Sequence, residues 1–406
     1  HEAGNATTLP LFFSNRYRDE KKILSVIAAV MIIIFFVPYT ASGFAACGKL
    51  FSTMFGWDYL PAMIISSIVI VVYTTMGGFL AASTSDFVQS IIMTLAIIVV
   101  FGFGVNNVGS FDAVIENAKS MAGYFSLTQI HDPATGTASP YGALTIASML
   151  AWGLGYFGMP HVLLRFMAIE DAEKLTLSRR VATVWVVISM AVAIFIGVIG
   201  NAMTAVGSIP KLDDAETIIL TISELIAQHG VLAALTAGVI LAGILAATMS
   251  TADSQLLAAS SSASQNILKE VFMKDMSEKA GMMAARITVL IISVIGMFIA
   301  SDSNSSVFQI VSFAWAGFGA AFGPLMLMAL FWKRSNMYGA LAGMVSGGVM
   351  VFVWKFMIRP MGGVLGIYEL LPAFIVGLVF NVVVSLMTAE PSKEIQDEFD
   401  RVAAMK

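Results

Sequence analysis

The chain has 406 residues, of which 58% are hydrophobic and 12% charged, and its formal net charge is −4. Soluble domains carry roughly 25% charged residues, so this composition excludes an ordinary water-soluble globule, and the net charge says little because the charges sit in short loops. One cysteine, Cys47, excludes an internal disulfide and leaves the redox compartment unread.

The opening, HEAGNATTLPLFFSNRYRDEKK, is polar and basic around a short apolar patch, unlike a cleavable signal peptide. It starts on His1 in what reads as a loop, and is expected to be the cut edge of a longer chain. Crossing a bilayer takes about 20 apolar residues in a helix. Ten stretches qualify: residues 23–50, 60–81, 87–108, 143–168, 181–206, 231–267, 282–300, 307–332, 337–358 and 368–387. The segment 216–228 is too polar to span and is expected to lie at an interface. Most connections are short, but residues 109–142 form a long one containing the turn-forming run DPATG. No internal repeat is visible in the sequence. Residues 1–390 therefore read as one all-α membrane domain and 391–406 as a polar tail.

Lysine and arginine orient such a chain. With ten spans, 17 of the 22 fall on the side shared by both ends, from Arg16, Arg165 and Arg180 through Lys274, Lys333 and Lys406. Only Lys49, Lys119, Lys211, Lys355 and Arg359 fall on the other. The expected orientation has both ends of this chain in the cytoplasm of a cell-membrane protein.

Polar groups inside such helices are costly and mark functional candidates. The run GILAATMSTADSQLLAASSSASQNIL, residues 243–268, carries Ser250, Thr251, Asp253 and Ser254 within five positions. Ser250 and Ser254 lie one turn apart, and the Ala247 carbonyl lies one turn before Thr251. A hard cation such as sodium takes several oxygens of this kind at once. The competing reading is that the hydroxyls bond back to their own helix and let helices pack. Asp253 is a carboxylate at membrane depth, a functional candidate by default or a group that pairs with a neighbouring helix. In MLAWGLGYFGMPHVLLRF, residues 149–166, three glycines and a proline break a span. Broken helices line protein or cavities, and Trp152 and Tyr156, one turn apart, could wall a pocket for a small amphipathic solute. The competing reading is a glycine-packed helix with aromatics at the headgroups. Pro38 is expected to kink the first span beside Tyr39 and Thr40, and AWAGFGAAFGP, residues 314–324, suits close helix contact. His1, His131, His161 and His229 do not group as metal ligands.

The runs GILAATMSTADSQLLAASSSASQNI, AWGLGYFGMPHVLLRFMAI, AWAGFGAAFGP and TTMGGFLAASTSDFVQS together resemble the sodium/solute symporter family, most closely its sodium/proline symporters. The likeness extends from TLPLFFSNRY to about Trp332. It implies a LeuT-type five-plus-five inverted-repeat fold, here expected to lack about its first three helices. It implies sodium held by the Ala247 carbonyl and the Ser250 and Thr251 hydroxyls. Tyr39, Trp152, Tyr156 and Ser254 would line the solute pocket, and Asp86 would act in sodium release. Asp253 stands on the sodium path or in coupling. The implied activity is sodium symport of a small amino acid, L-proline first, across the bilayer. The alternatives are another amino acid, a betaine or a carboxylate, a membrane sensor, or an inactive fragment. No enzymatic chemistry and no nucleic-acid partner is implied.

Overall fold

The computed structural model describes residues 6–169, 171, 173–273 and 275–404 and, of residues 77–81, the backbone. His1, Lys274 and Lys406 lie outside them. The described residues are almost entirely helical and fall into two compact units, residues 1–42, 144–170 and 254–406, and residues 43–143 and 171–253.

In the first unit, three helices pack through small residues: α11 (Val307–Phe331), α12 (Met337–Val353) and α13 (Leu370–Met387). Gly339, Gly343 and Gly347 recur every fourth residue, so they form one stripe along α12. A Cβ at Gly347 would lie 2.2 Å from the Ala320 carbonyl oxygen, and one at Gly343 would lie 2.8 Å from that of Gly377. Lipid gives no hydrophobic drive between helices, so backbone approach of this kind holds them together.

Asn336 ties the end of this layer. It caps α12 by accepting from the Gly339 N–H (3.0 Å), and its amide donates to Thr388 Oγ1 (2.7 Å) and the Ala389 carbonyl (2.8 Å). An Asn336→Ala variant should lose about 2–3 kcal/mol, one cap plus two buried hydrogen bonds. The check is its thermal melt in detergent against the parent chain, where an unchanged midpoint would refute the cap.

In the second unit, α7 (Lys174–Ala205) packs on α3 (Tyr59–Val108), with α4 (Phe111–Ser120) and α8 (Ile218–Ala227) beside them. Ile199, Ala202, Met203, Ile222 and Ile240 are buried at the centre. Lys49 pairs with both Asp214 (2.8 Å) and Glu216 (2.7 Å) near the start of α8.

Nine described helices are long and apolar enough to cross a membrane. The first, α2 (Ile23–Phe55), is continuous through Pro38 and five residues longer than expected. The expected spans 60–81 and 87–108 both lie in α3, whose backbone is helical throughout. The Tyr73 and Ser85 hydroxyls nevertheless hydrogen-bond. Twelve residues of straight helix would separate them by about 18 Å, so the axis turns sharply between them and two spans result. The span expected at 231–267 is α9 (Val231–Ser261), extended by a π-helical segment, Ser262–Phe272. Its neighbour α10 covers Glu278–Ile299.

The expected span 143–168 is not one helix. It comprises α5 (Ala143–Gly155), a 3₁₀ turn (Tyr156–Gly158) and α6 (Pro160–Met167). Proline is accepted at the first position of α6, where the missing N–H has no partner to lose.

Two segments hold more structure than the sequence announces. The 109–142 connection contains α4 and a hairpin pairing β1 (Gln129–His131) with β2 (Ala138–Pro140). Its turn is the DPATG run, with Asp132 accepting from the Ala134 N–H at 2.9 Å. The tail forms α14 (Lys393–Ala403). There Glu398 pairs with Arg18 (2.8 Å), Asp400 pairs with Lys333, and the Arg16 guanidinium lies 5.2 Å from the Phe399 ring centre. Exposed pairs contribute little singly; the polar tail is nonetheless a docked amphipathic helix. Nearby, the Tyr17 and Ser335 hydroxyls hydrogen-bond at 2.9 Å. Burial pushes the Tyr17 phenol up to about 12, which keeps it protonated.

Candidate functional site

The expected sodium ligands sit on α9. Ser250 Oγ and Thr251 Oγ1 donate to the Ala247 carbonyl at 3.2 and 3.0 Å. This is the ordinary back-bond of serine and threonine in a helix. It also gathers three neutral oxygens at one point of a membrane helix. A hard cation takes roughly six oxygens, so α9 alone would supply half of a shell. Two residues further along, Asp253 is fully buried.

The expected solute residues belong to the first unit. Tyr39 is buried on α2, and its ring meets His161 of α6 edge-on at 5.9 Å. One turn on from His161, Arg165 Nη2 donates to Ser254 Oγ at 2.9 Å. Thus α6 touches both Tyr39 and Ser254. The break before α6 allows this, because it frees the segment from the axis of α5.

Trp152 and Tyr156 meet through a third aromatic. Trp315 of α11 stacks on Trp152 at 5.2 Å and an interplanar angle of 15°. It also meets Tyr156 edge-on at 4.8 Å, and its indole N–H donates to the Trp152 carbonyl at 2.9 Å. That carbonyl sits where the helix breaks, so Trp315 satisfies a group the broken ladder releases. A Cβ at Gly155 would fall on the Trp315 ring, and one at Gly158 would lie 2.2 Å from the Phe318 carbonyl oxygen. The glycines of the break therefore admit α11, which is buried from Ala314 to Met326.

Sequence reasoning missed Trp315, His161 and Arg165 as parts of this cluster. Trp315 stood in a run read for its small residues, and Arg165 was counted among the orienting charges. An arginine in an apolar span carried a signal of its own. Asp86 is half-buried on α3, next to the Ser85 that bonds Tyr73.

Residues 2–347 match the model of the Sodium:solute symporter family. The chain belongs to the sodium:solute symporter family. It is accordingly a multi-pass membrane transporter, not an enzyme, and sodium is the coupling ion of its family. It is 36% identical over 409 residues to sodium/proline symporter 2 of Staphylococcus saprophyticus, covering 98% of this chain and 76% of that protein. The sodium/proline symporter of Staphylococcus aureus matches at the same identity and coverage. Among solved structures, a Na⁺-coupled sialic acid symporter in a substrate-bound outward-open state aligns with a TM-score of 0.71. That alignment covers 95% of this chain and 78% of the other at 16% identity. The fold is therefore the all-α, LeuT-type transporter fold expected from the sequence.

Proposed function

We propose that this chain belongs to a cell-membrane protein that couples inward sodium movement to uptake of L-proline. The observation that carries this reading is 36% identity across 98% of the chain to two sodium/proline symporters. The distribution of lysine and arginine supports cytoplasmic ends. Residues 1–390 would form the transporter domain and α14 the cytoplasmic tail.

In this reading sodium is held by the Ala247 carbonyl and the Ser250 and Thr251 hydroxyls, completed by oxygens from elsewhere. Proline packs on Tyr39, Trp152, Tyr156 and Ser254. Arg165, hydrogen-bonded to Ser254, keeps a cation within reach of the solute carboxylate. Inward sodium movement releases about 2.3 kcal/mol per charge per 100 mV, plus the concentration difference. Coupling needs sodium and proline to favour the same conformation, since a ligand shifts an equilibrium only through its differential affinity. On the same reading Asp86 and Asp253 would act on sodium release or ion choice.

The test is uptake of labelled proline into proteoliposomes under an inward sodium gradient. Potassium replaces sodium in the control, and an imposed potential is added. Uptake that needs sodium and rises with inside-negative potential supports the reading. Sodium-driven uptake of another solute, with no proline uptake, would replace the solute and keep the class.

A further inference from the structure

The basic residues at one end of the first unit sit where two spans stop. Arg16 and Arg18 come just before Ile23, the first residue of α2, and Lys333 and Arg334 just after Phe331, the last of α11. Cations placed this way stand at headgroup depth. Here α14 lies over them. Glu398 and Glu394 approach Arg18 Nη2 at 2.8 and 3.3 Å, and Asp400 pairs with Lys333. Glu390, just before the helix, lies 3.6 Å from Arg334 Nε. This face takes anions, one carboxylate after another.

Its cover is thinly held. Ile395 is the one buried residue of α14, and elements with few buried apolar contacts open at low cost. The Arg18 and Lys333 side chains are 39% and 41% exposed, and pairs this open are weak and screened by salt. Moreover, α14 carries four carboxylates and two cations, so an anionic leaflet repels the cover while attracting the face beneath it. A basic residue at such a leaflet gains at least as much as an exposed ion pair gives. The exchange of cover for lipid is favoured from both sides.

Arg16 shows what the face lacks. Its Nε donates to the Ala329 carbonyl at 2.9 Å, and the Phe399 ring centre of α14 lies 5.2 Å from its guanidinium. Its Nη1 and Nη2 are buried with no hydrogen-bond acceptor among the described residues. Thus α14 covers Arg16 with a ring and leaves donors unmet, which is unfavourable. A phosphate group offers the paired oxygens that a guanidinium fork matches.

We propose that the face formed by Arg16, Arg18, Lys333 and Arg334 is a docking surface for anionic phospholipid headgroups, and that α14 is a strap which those headgroups displace. This goes beyond the proposed function and takes from it only which leaflet is concerned. Arg16 ends α1 (Leu9–Arg16), which packs against α6, the helix of His161 and Arg165. The strap therefore stands one helix away from the candidate site.

Cysteine labelling in proteoliposomes tests the exchange without reference to transport. The chain's one cysteine, Cys47, is buried. In an Ile395→Cys variant the new thiol is covered while α14 is docked, and in a Val402→Cys variant it is exposed. N-ethylmaleimide is neutral and permeant, so neither surface charge nor the direction of insertion biases it. The ratio of the first labelling rate to the second reports undocking. In phosphatidylcholine vesicles Ile395→Cys should react about tenfold or more slower than Val402→Cys. Replacing about 30% of the lipid with phosphatidylglycerol should raise the ratio about tenfold, the factor carried by one or two basic residues at an anionic surface. Inorganic phosphate in phosphatidylcholine vesicles, at matched ionic strength, should leave it unchanged. Adding Arg18→Gln/Lys333→Gln should raise the ratio already in phosphatidylcholine, with little further rise on adding phosphatidylglycerol. Glu398→Gln/Asp400→Asn breaks the same pairs from the tail side and should also raise it in phosphatidylcholine. With Ile395 retained, Cys47 should stay unlabelled in both double variants, which separates undocking from a folding defect. A ratio near one in phosphatidylcholine overturns the strap. A ratio that phosphatidylglycerol leaves unchanged overturns the exchange, and one that phosphate raises equally makes a soluble anion the partner instead. A lipid effect undiminished in Arg18→Gln/Lys333→Gln overturns the assigned face. Each outcome stands whether or not the chain takes up proline, so the strap and the proposed solute fail separately.

Discussion

A Ser250→Ala/Thr251→Ala double variant is expected to need at least a hundredfold more sodium for half-maximal proline uptake. At about 0.1 M sodium it should run near background. Each hydroxyl facing a cation contributes about 1.5–3 kcal/mol, so losing two shifts sodium affinity by two to four powers of ten. The geometry also separates this effect from damage to the fold. Both hydroxyls bond the Ala247 carbonyl of their own helix, and alanine is the better helix former. The thermal midpoint of the double variant should therefore match the parent chain while sodium dependence collapses. Thr251→Ser keeps the oxygen and should stay within a few-fold of the parent. An unchanged sodium requirement in the double variant would place the ion elsewhere and reduce these residues to helix packing.

The fold class was legible because its cause is spread along the chain. A membrane span needs a run of apolar residues and little else, so composition and run length locate α2, α7, α10, α11 and α13. The break between α5 and α6 was legible for a local reason: Gly153, Gly155, Gly158 and Pro160 cannot sustain one regular helix. What stayed hidden depends on partners remote in sequence. The tail reads as polar, yet it forms α14 because Arg18 and Lys333 supply its counter-charges. Trp315 could be placed in the cluster only once α11 was known to cross the break. Arg165 is a loop-flanking charge by counting and a partner of Ser254 by geometry. The hairpin at 129–140 has strands of three residues, too short for alternation to register.

The break itself supplies the other large expected effect. Gly158→Ala should lower the thermal midpoint by several degrees and take most of the uptake with it, while Gly153→Ala should leave both unchanged or slightly raise stability. The two glycines lie five residues apart in the same broken segment, so propensity alone predicts that alanine helps at both. Their surroundings differ. A Cβ at Gly153 meets nothing within 4 Å, whereas at Gly158 it would lie 2.2 Å from the Phe318 carbonyl oxygen and 2.8 Å from the Gly323 nitrogen. Both are backbone atoms of α11, so no rotamer change relieves the clash and one segment must move. Overpacking of this kind costs about 1–3 kcal/mol, occasionally more. The movement would also reach function. Tyr156 lies two residues before Gly158, and its edge-on contact with Trp315 depends on the same closeness to α11. Melting curves and initial uptake rates for the two variants decide the matter. Equal behaviour of the pair would mean that α11 does not approach the break as closely as described. A defect confined to Gly158 would show that the glycines are there to admit α11 rather than to loosen the chain.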